Sequence, residues 1–408
     1  MTDWRTSTLG ELCKFENGDR GKNYPGRKAF AQSGIPFINA GHLDDGEIDW
    51  QGMDYIPRDR FGLLGNGKVQ KRDLLFCLRG SLGKFGIVDQ EIEGAIASSL
   101  VIVRPDMQLD CDYLAAYFRS ALCADMITKY ANGAAQPNLS AKSLKEFEIP
   151  LPPLPEQKRI VAILDEAFAG IDAAAANTEK NLANARELFE SYLNDVFTQK
   201  GDGWGEKALQ EVCSIASKLV DPREPQFIDM PHLGAGNMVS MTGELVEIQT
   251  AREEGLKSGK FTFDENMVLY SKIRPYLMKV CRPAFAGLCS ADVYPLLPDA
   301  EYLDRNYLFY MFLSRHFTDY AIAGSDRAGM PKVNRPHLFK YRAFFPEVSE
   351  QKRIAAKLDD VAQEIRQLET IYEQKLDSLA ELKQSILQKA FAGELTALPE
   401  KAVKEAVA

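Results

Sequence analysis

The chain has 408 residues, 45% hydrophobic and 26% charged, with a formal net charge of −9. That length allows two domains, and the acidic balance argues against a basic protein that coats nucleic acid, while leaving room for a cleft with a few placed cations. With no apolar run near the ~18 residues of a membrane span, no signal-peptide pattern after Met1, and seven scattered cysteines without C-x-x-C, the chain reads as cytoplasmic, with reduced thiols and no membrane.

Residues 1–152 read as a first module, mixed and mainly strand. Ile35–Ile38, Asp73–Cys77 and Leu100–Val103 are short apolar runs punctuated by glycines. A helix is expected at Asp112–Phe118, then a polar loop at 132–140 and a short strand at Phe147–Ile149. Residues 153–200 follow as one long helix. Pro155 suits its first position, and Glu156 its positive first turn. Its apolar positions run Ile160, Leu164, Ala167, Ile171, Ala174, Thr178, Ala185, Phe189, Tyr192 and Val196, a heptad-like seam.

Residues 201–346 repeat the first module, and 347–395 repeat the helix. Glu156-Gln157-Lys158-Arg159-Ile160 recurs as Glu350-Gln351-Lys352-Arg353-Ile354, an offset of 194. The same offset joins Pro137 to Pro331, Leu144 to Leu338, Asp165 to Asp359 and Phe197 to Phe391 without a gap. Such a run is an internal duplication. Ser349 suits an N-cap, and the second seam runs Ile354, Leu358, Val361, Ile365, Leu368, Tyr372, Leu379, Leu382 and Ile386. Each helix of about 44 residues makes a rod of roughly 65 Å, and two apolar stripes in one chain can cover each other. Towards the module starts the offset drifts. Cys13 meets Cys213 at 200, while Phe37-Ile38 and His42-Leu43 meet Phe227-Ile228 and His232-Leu233 at 190. Residues 396–408 read as a flexible tail.

Catalytic patterns begin and then fail. Gly62, Gly67 and Lys68 fit G-x-x-x-x-G-K, but Val69 stands where a magnesium-binding Ser or Thr belongs and no apolar strand precedes it. Gly234-Ala235-Gly236 is a lone G-x-G. Pro152-Pro153 lacks the Asn or Asp of an amino-methyltransferase motif. Four histidines with no H-E-x-x-H give no metal site, and Ser98, Ser99 and Ser290 lack a partner histidine. The chain reads as no enzyme.

Three loop sets could contact a ligand. Arg79, Ser81 and Lys84 follow the first module's Asp73–Cys77 run; Lys272, Arg274, Tyr276 and Lys279 follow its counterpart. Cations on small-residue turns suit phosphates. The 132–140 loop holds Gln136 and Asn138, and its counterpart holds Arg327, Lys332 and Asn334. Asn and Gln can pair with adenine, and Arg with guanine, so two aligned loops of different content could read two sequences. Arg20, Lys22, Asn23 and Tyr24 form a third loop of this kind.

Leu151-Pro152-Pro153-Leu154-Pro155-Glu156-Gln157 and the Asp73–Phe76 and Gly80–Lys84 runs, set in two variable modules each closed by a long helix, resemble the specificity (S) subunit of type I restriction-modification systems. The second copy departs from that pattern: Phe345–Ser349 replaces the proline-rich run, and Lys272–Lys279 has no Gly-Ser. The resemblance implies an α+β fold: two target recognition domains joined and separated by two antiparallel helices in a coiled coil, with a pseudo-twofold repeat. It implies a non-catalytic chain that reads a split site in double-stranded DNA. Glu156, Gln157, Arg159, Glu350, Gln351 and Arg353 would meet two adenine-N6 methyltransferase (M) subunits. Restriction/translocase (R) subunits would join. This chain would bind no cofactor; S-adenosylmethionine, ATP and magnesium would belong to the partners. A specificity subunit without a restriction partner, or a coiled-coil scaffold binding only proteins, are the competing readings.

Overall fold

The computed structural model of the chain describes residues 4–132, 137–198, 200–201, 203–215, 217–325 and 331–396. They form two compact units. One takes residues up to Thr178 together with those from Gln374; the other runs from Glu179 to Glu373.

In the first unit a four-stranded antiparallel sheet has the order Cys13–Asn17, Leu100–Pro105, Leu74–Cys77, Phe85–Ile87. Its central strands read as unbroken apolar runs because both faces are covered. Leu74, Phe76, Val101 and Val103 point to one core; Leu75, Cys77, Leu100 and Ile102 point to another. This is the two-residue alternation of a strand buried on both sides. The first core is completed by Tyr113, Leu114 and Tyr117 of the Cys111–Arg119 helix, by Ile160, Leu164 and Ile171, and by Leu387 and Phe391. Ile35–Ile38 pairs with Tyr55–Ile56 and, in parallel, with Ala95–Ile96. Arg5–Thr8 pairs with Glu148–Leu151.

The second unit repeats the plan. Its sheet has the order Cys213–Ser214, Val293–Pro298, Val268–Ser271, Val280–Cys281, and Gly205–Ala208 pairs with Arg342–Phe345. The Arg305–Leu313 helix packs Tyr307 and Phe312 into a core with Leu193, Ala355 and Leu358.

The long helices are Leu154–Thr198 and Val348–Phe391. Asp172 pairs with Lys383 in the first unit, and Arg186 with Glu369 at 2.6 Å in the second. In each unit a part of the first long helix thus lies beside a part of the second. The seam departs from the expected positions in two places. Leu368 and Leu382 are 39% and 38% exposed, while Leu193 and Leu387 are buried. A helix of 3.6 residues per turn drifts against a strict heptad, which rotates such positions off the seam. Ser349 is a second helical residue rather than an N-cap; Glu347 and Pro153 supply the carbonyls that accept the first helical N–H groups.

Sheet register corrects the alignment near His42. Phe37-Ile38 lies beside Ala95-Ile96, and His232-Leu233 beside Leu288-Cys289. The Ala40–His42 turn therefore corresponds to Ala235–Asn237, an offset of 195. His42 matches Asn237, not His232. His42 Nδ1 accepts the Asn39 N–H at 3.1 Å, and Asn237 Oδ1 accepts the Gly234 N–H at 2.8 Å. The two side chains do one job.

Candidate DNA interface

Four strand ends meet at one end of each sheet. In the first unit these are the ends at Asn17 and Cys77 and the starts at Phe85 and Leu100. Here the loops that were separate in sequence are joined. Arg20 donates to the Ser98 carbonyl at 3.2 Å, Leu78 N–H to the Ser99 carbonyl at 2.8 Å, and Leu139 N–H to the Leu78 carbonyl at 2.9 Å. Arg79 faces Asn138 in an antiparallel bridge. Arg20, Arg79, Ser81, Lys84 and Asn138 are exposed along this rim. Lys84 approaches Asp44 at 3.6 Å, an exposed pair of little energetic weight.

The second unit builds the same junction. Val333 N–H donates to the Lys272 carbonyl at 2.8 Å, and Ile273 faces Lys332. Cys77 N–H reaches the Lys84 carbonyl, and Ser271 N–H the Lys279 carbonyl, so Lys84 and Lys279 are equivalent. The second turn is one residue longer. Asn138 is matched by Lys332.

Electrostatics differ between the rims. Asp292 lies 3.3 Å from Lys272 and 3.0 Å from Lys332. Burial pushes its carboxyl up, but the hydrogen bonds from Lys332 and Lys272 outweigh that and leave it below the usual range. Burial, with the Lys332 charge beside it, pulls Lys272 below an ordinary lysine; the bond to Asp292 raises Lys332. Sequence reasoning missed Asp292, which carries no motif. It also missed Arg335, whose guanidinium stacks over Phe261 and Tyr294 at 5.4 and 5.7 Å; a cation directly after the loop's last asparagine was the available signal.

Several expected contacts have inward duties. Tyr24 sets its ring edge-on to Phe37 at 5.8 Å, and the Asn23 amide donates to Leu63. Asn334 caps the Arg335–Lys340 helix by accepting the His337 N–H. Lys279 donates to the Ala235 carbonyl at 2.6 Å. Lys22, Arg274 and Tyr276 are exposed. Gln136 and Arg327 lie outside the described residues. The Gly62–Lys68 segment is the end of the Arg58–Leu63 helix and the loop after it: Gly67 N–H donates to Glu16, and Arg104 bridges Glu16, Asp73 and the Lys68 carbonyl.

Gln157 and Gln351 are corrected from partner contacts to internal clamps. Both are fully buried. Gln157 accepts the Asp110 N–H at 2.7 Å and donates to the carbonyls of Gln108 and Pro152. Gln351 does the same with Asp304, Tyr302 and Pro346. An amide offers one acceptor oxygen and two N–H donors, which these three bonds use. Beside them, Arg159 and Arg353 are exposed, Arg353 forking onto Glu350 at 2.7 and 2.8 Å.

Among the described residues, no group of three or more His, Cys, Asp or Glu is placed to hold a metal, and no helix is long and apolar enough to cross a membrane. Burial pushes the Cys13 and Cys213 thiols up to about 12, so both are inert packing groups.

The family model for the type I restriction modification DNA specificity domain matches residues 1–182 and again 201–376. The chain belongs to that family. It is 27% identical to the type I restriction enzyme EcoDI specificity subunit of Escherichia coli, over 97% of this chain and 89% of that protein. It is 22% identical to the MjaVIII specificity subunit of Methanocaldococcus jannaschii, over 88% of this chain and 86% of that one. Its fold matches a chain of a solved type I R-M system at a TM-score of 0.78 and 21% identity, covering 96% and 98% of the two chains. The HsdS subunit of Thermoanaerobacter tengcongensis matches at a TM-score of 0.56 and 20% identity, covering 96% and 97%. As a type I specificity chain, its part is recognition rather than catalysis.

Proposed function

We propose that each of the two units reads one half of a split site in double-stranded DNA through the rim of joined loops at its sheet end. The observation that carries this is the recurrence of one backbone junction, Arg79 with Asn138 and Ile273 with Lys332, dressed with different side chains. A fixed scaffold bearing different hydrogen-bonding groups is what two readers of different sequences need. The segments 153–200 and 347–395 set the distance between half-sites and dock two adenine-N6 methyltransferase subunits, with the exposed Arg159 and Arg353 and the half-buried Glu156 and Glu350 as the candidates at the helix starts. A restriction/translocase subunit joins for cleavage. S-adenosylmethionine, ATP and magnesium serve the partners, in the cytoplasm.

Co-expression with an adenine methyltransferase of the same type of system, followed by mapping of methylated adenines in host DNA, tests this. A bipartite motif with an unspecified middle is expected. Substitutions in one unit's rim should alter only one half of the motif. Partner binding without sequence-specific methylation would sink the proposal.

A further inference from the structure

The turn after the central strand adopts the left-handed region twice in each unit. In the first unit both positions are glycine, Gly80 at φ 82° and Gly83 at φ 85°. In the second, by the register fixed at Lys84 and Lys279, they are Arg274 at φ 50° and Met278 at φ 45°. A residue with a Cβ is strained there, and glycine is not. Strain held in an observed backbone is a sign of a side chain kept for its use.

Met278 has a use inside, packed against the second unit's core. Arg274 does not. Its N–H is tied to the Pro331 carbonyl at 2.9 Å and its carbonyl accepts the Leu277 N–H, so its backbone is fixed. Its side chain is exposed, and among the described residues it has no ion-pair partner. Arg72, the other left-handed arginine, differs: its guanidinium meets Asp112 at 2.6 Å. Lys272 and Lys332, Arg274's neighbours on the rim, are both engaged by Asp292.

We propose that Arg274 reads a guanine in the half-site of the second unit, its forked guanidinium donating to O6 and N7 in the major groove. This rests on the reading of the rim as a DNA interface. A phosphate contact needs only positive charge and tolerates many backbone positions; a base contact needs one fixed direction, which a doubly anchored, left-handed residue supplies. The first unit, with Gly80 there, has no such reader at that position.

The test compares wild-type, Arg274→Gly and Arg274→Lys chains, each assembled with the methyltransferase, by mapping methylated adenines and by melting. Arg274→Gly removes the strain, so its melting temperature should stay level or rise. The first half of the motif should be retained, and one guanine of the second half should become degenerate, with a selective loss of roughly 5- to 150-fold, the range of one base contact. Arg274→Lys, keeping charge but not the fork, should relax the same base. An unchanged motif in both variants overturns the inference. So does uniform weakening at all bases, the mark of a phosphate contact, or a fall in melting temperature that explains the loss. If the wild-type chain yields no bipartite motif, it is the DNA-interface reading that fails.

Discussion

Gln157 accepts the backbone N–H of Asp110, and Asp110 in turn caps the Cys111–Arg119 helix through Asp112 and Tyr113. Gln351 and Asp304 repeat this on the Arg305–Leu313 helix. One side chain thus locks each long helix to the helix that backs the sheet. Gln157→Ala would leave buried donors and acceptors unpaired, each costing about 1–3 kcal/mol. With three such groups, a loss of at least about 3 kcal/mol is expected from that principle, read as lower protection from hydrogen exchange at residues 108–113. Gln351→Ala should act likewise at 302–307, and surface substitutions such as Arg159→Ala should leave both segments unchanged.

Asp292 makes the second rim sensitive to acid. Its folded pKa lies below the ordinary one, because Lys332 and Lys272 bond it more strongly than burial opposes its charge. A lowered carboxylate contributes stability that is full above the unfolded value, about 4, and lost as pH falls through the folded value. Asp292→Asn should therefore be less stable than wild type at neutral pH, and the two melting curves should converge as pH drops below about 4. Curves that stay parallel would remove Asp292 from the loop junction.

Asn138 and Lys84 should separate in their effects on DNA. Asn138→Ala should cost about 1–3 kcal/mol at one base of the first half-site, and Lys84→Ala should weaken all sequences alike and lower the salt slope by about one. Competition binding of the assembled complex against single-base variants, at two salt concentrations, distinguishes these. Equal loss across every base for Asn138→Ala would make it a backbone contact.

The helices should act as a ruler. Four residues added near Leu182, with four more near Glu373, lengthen the pair by about 6 Å and turn it by about 40°. The unspecified middle of the methylated motif should grow by about one to two base pairs, at ~3.4 Å each. A motif of unchanged spacing would show that the helices do not set it.

The duplication was readable where the packing allows no insertion. The offset of 194 runs from Pro137 to Phe197 because the loop junction, the closing strand and the helix seam share one geometry in both units. It failed around His42, where two-residue identities at 190 outscored the true register at 195. Backbone pairing fixed that turn, and His42 and Asn237 look unlike while accepting the same kind of N–H. The glutamine clamps were illegible for another reason. A glutamine among Glu, Lys and Arg in a first helical turn looks like surface, and only the fold brings three backbone groups to it. The loops on the rim were found one by one, but that Arg20, Ser98, Leu78 and Asn138 form a continuous line depends on contacts between distant segments.

Phe391 sits against Tyr113 and Tyr117, at 5.1 and 5.9 Å between ring centres. It lies nearly at the end of the described chain, yet it fills the core of the unit that holds the first residues. The second unit is one continuous stretch, Glu179–Glu373, whereas the first is assembled from two separated ones. During synthesis at about 5–20 residues per second, the N-terminal part of a protein ordinarily folds first. Here that order is reversed: the module made first must wait, incomplete, for Leu387 and Phe391 to leave the ribosome, while the module made second can already close. A chain truncated after Glu373 and released should therefore show a protease-resistant core over 179–373 and a labile one before it.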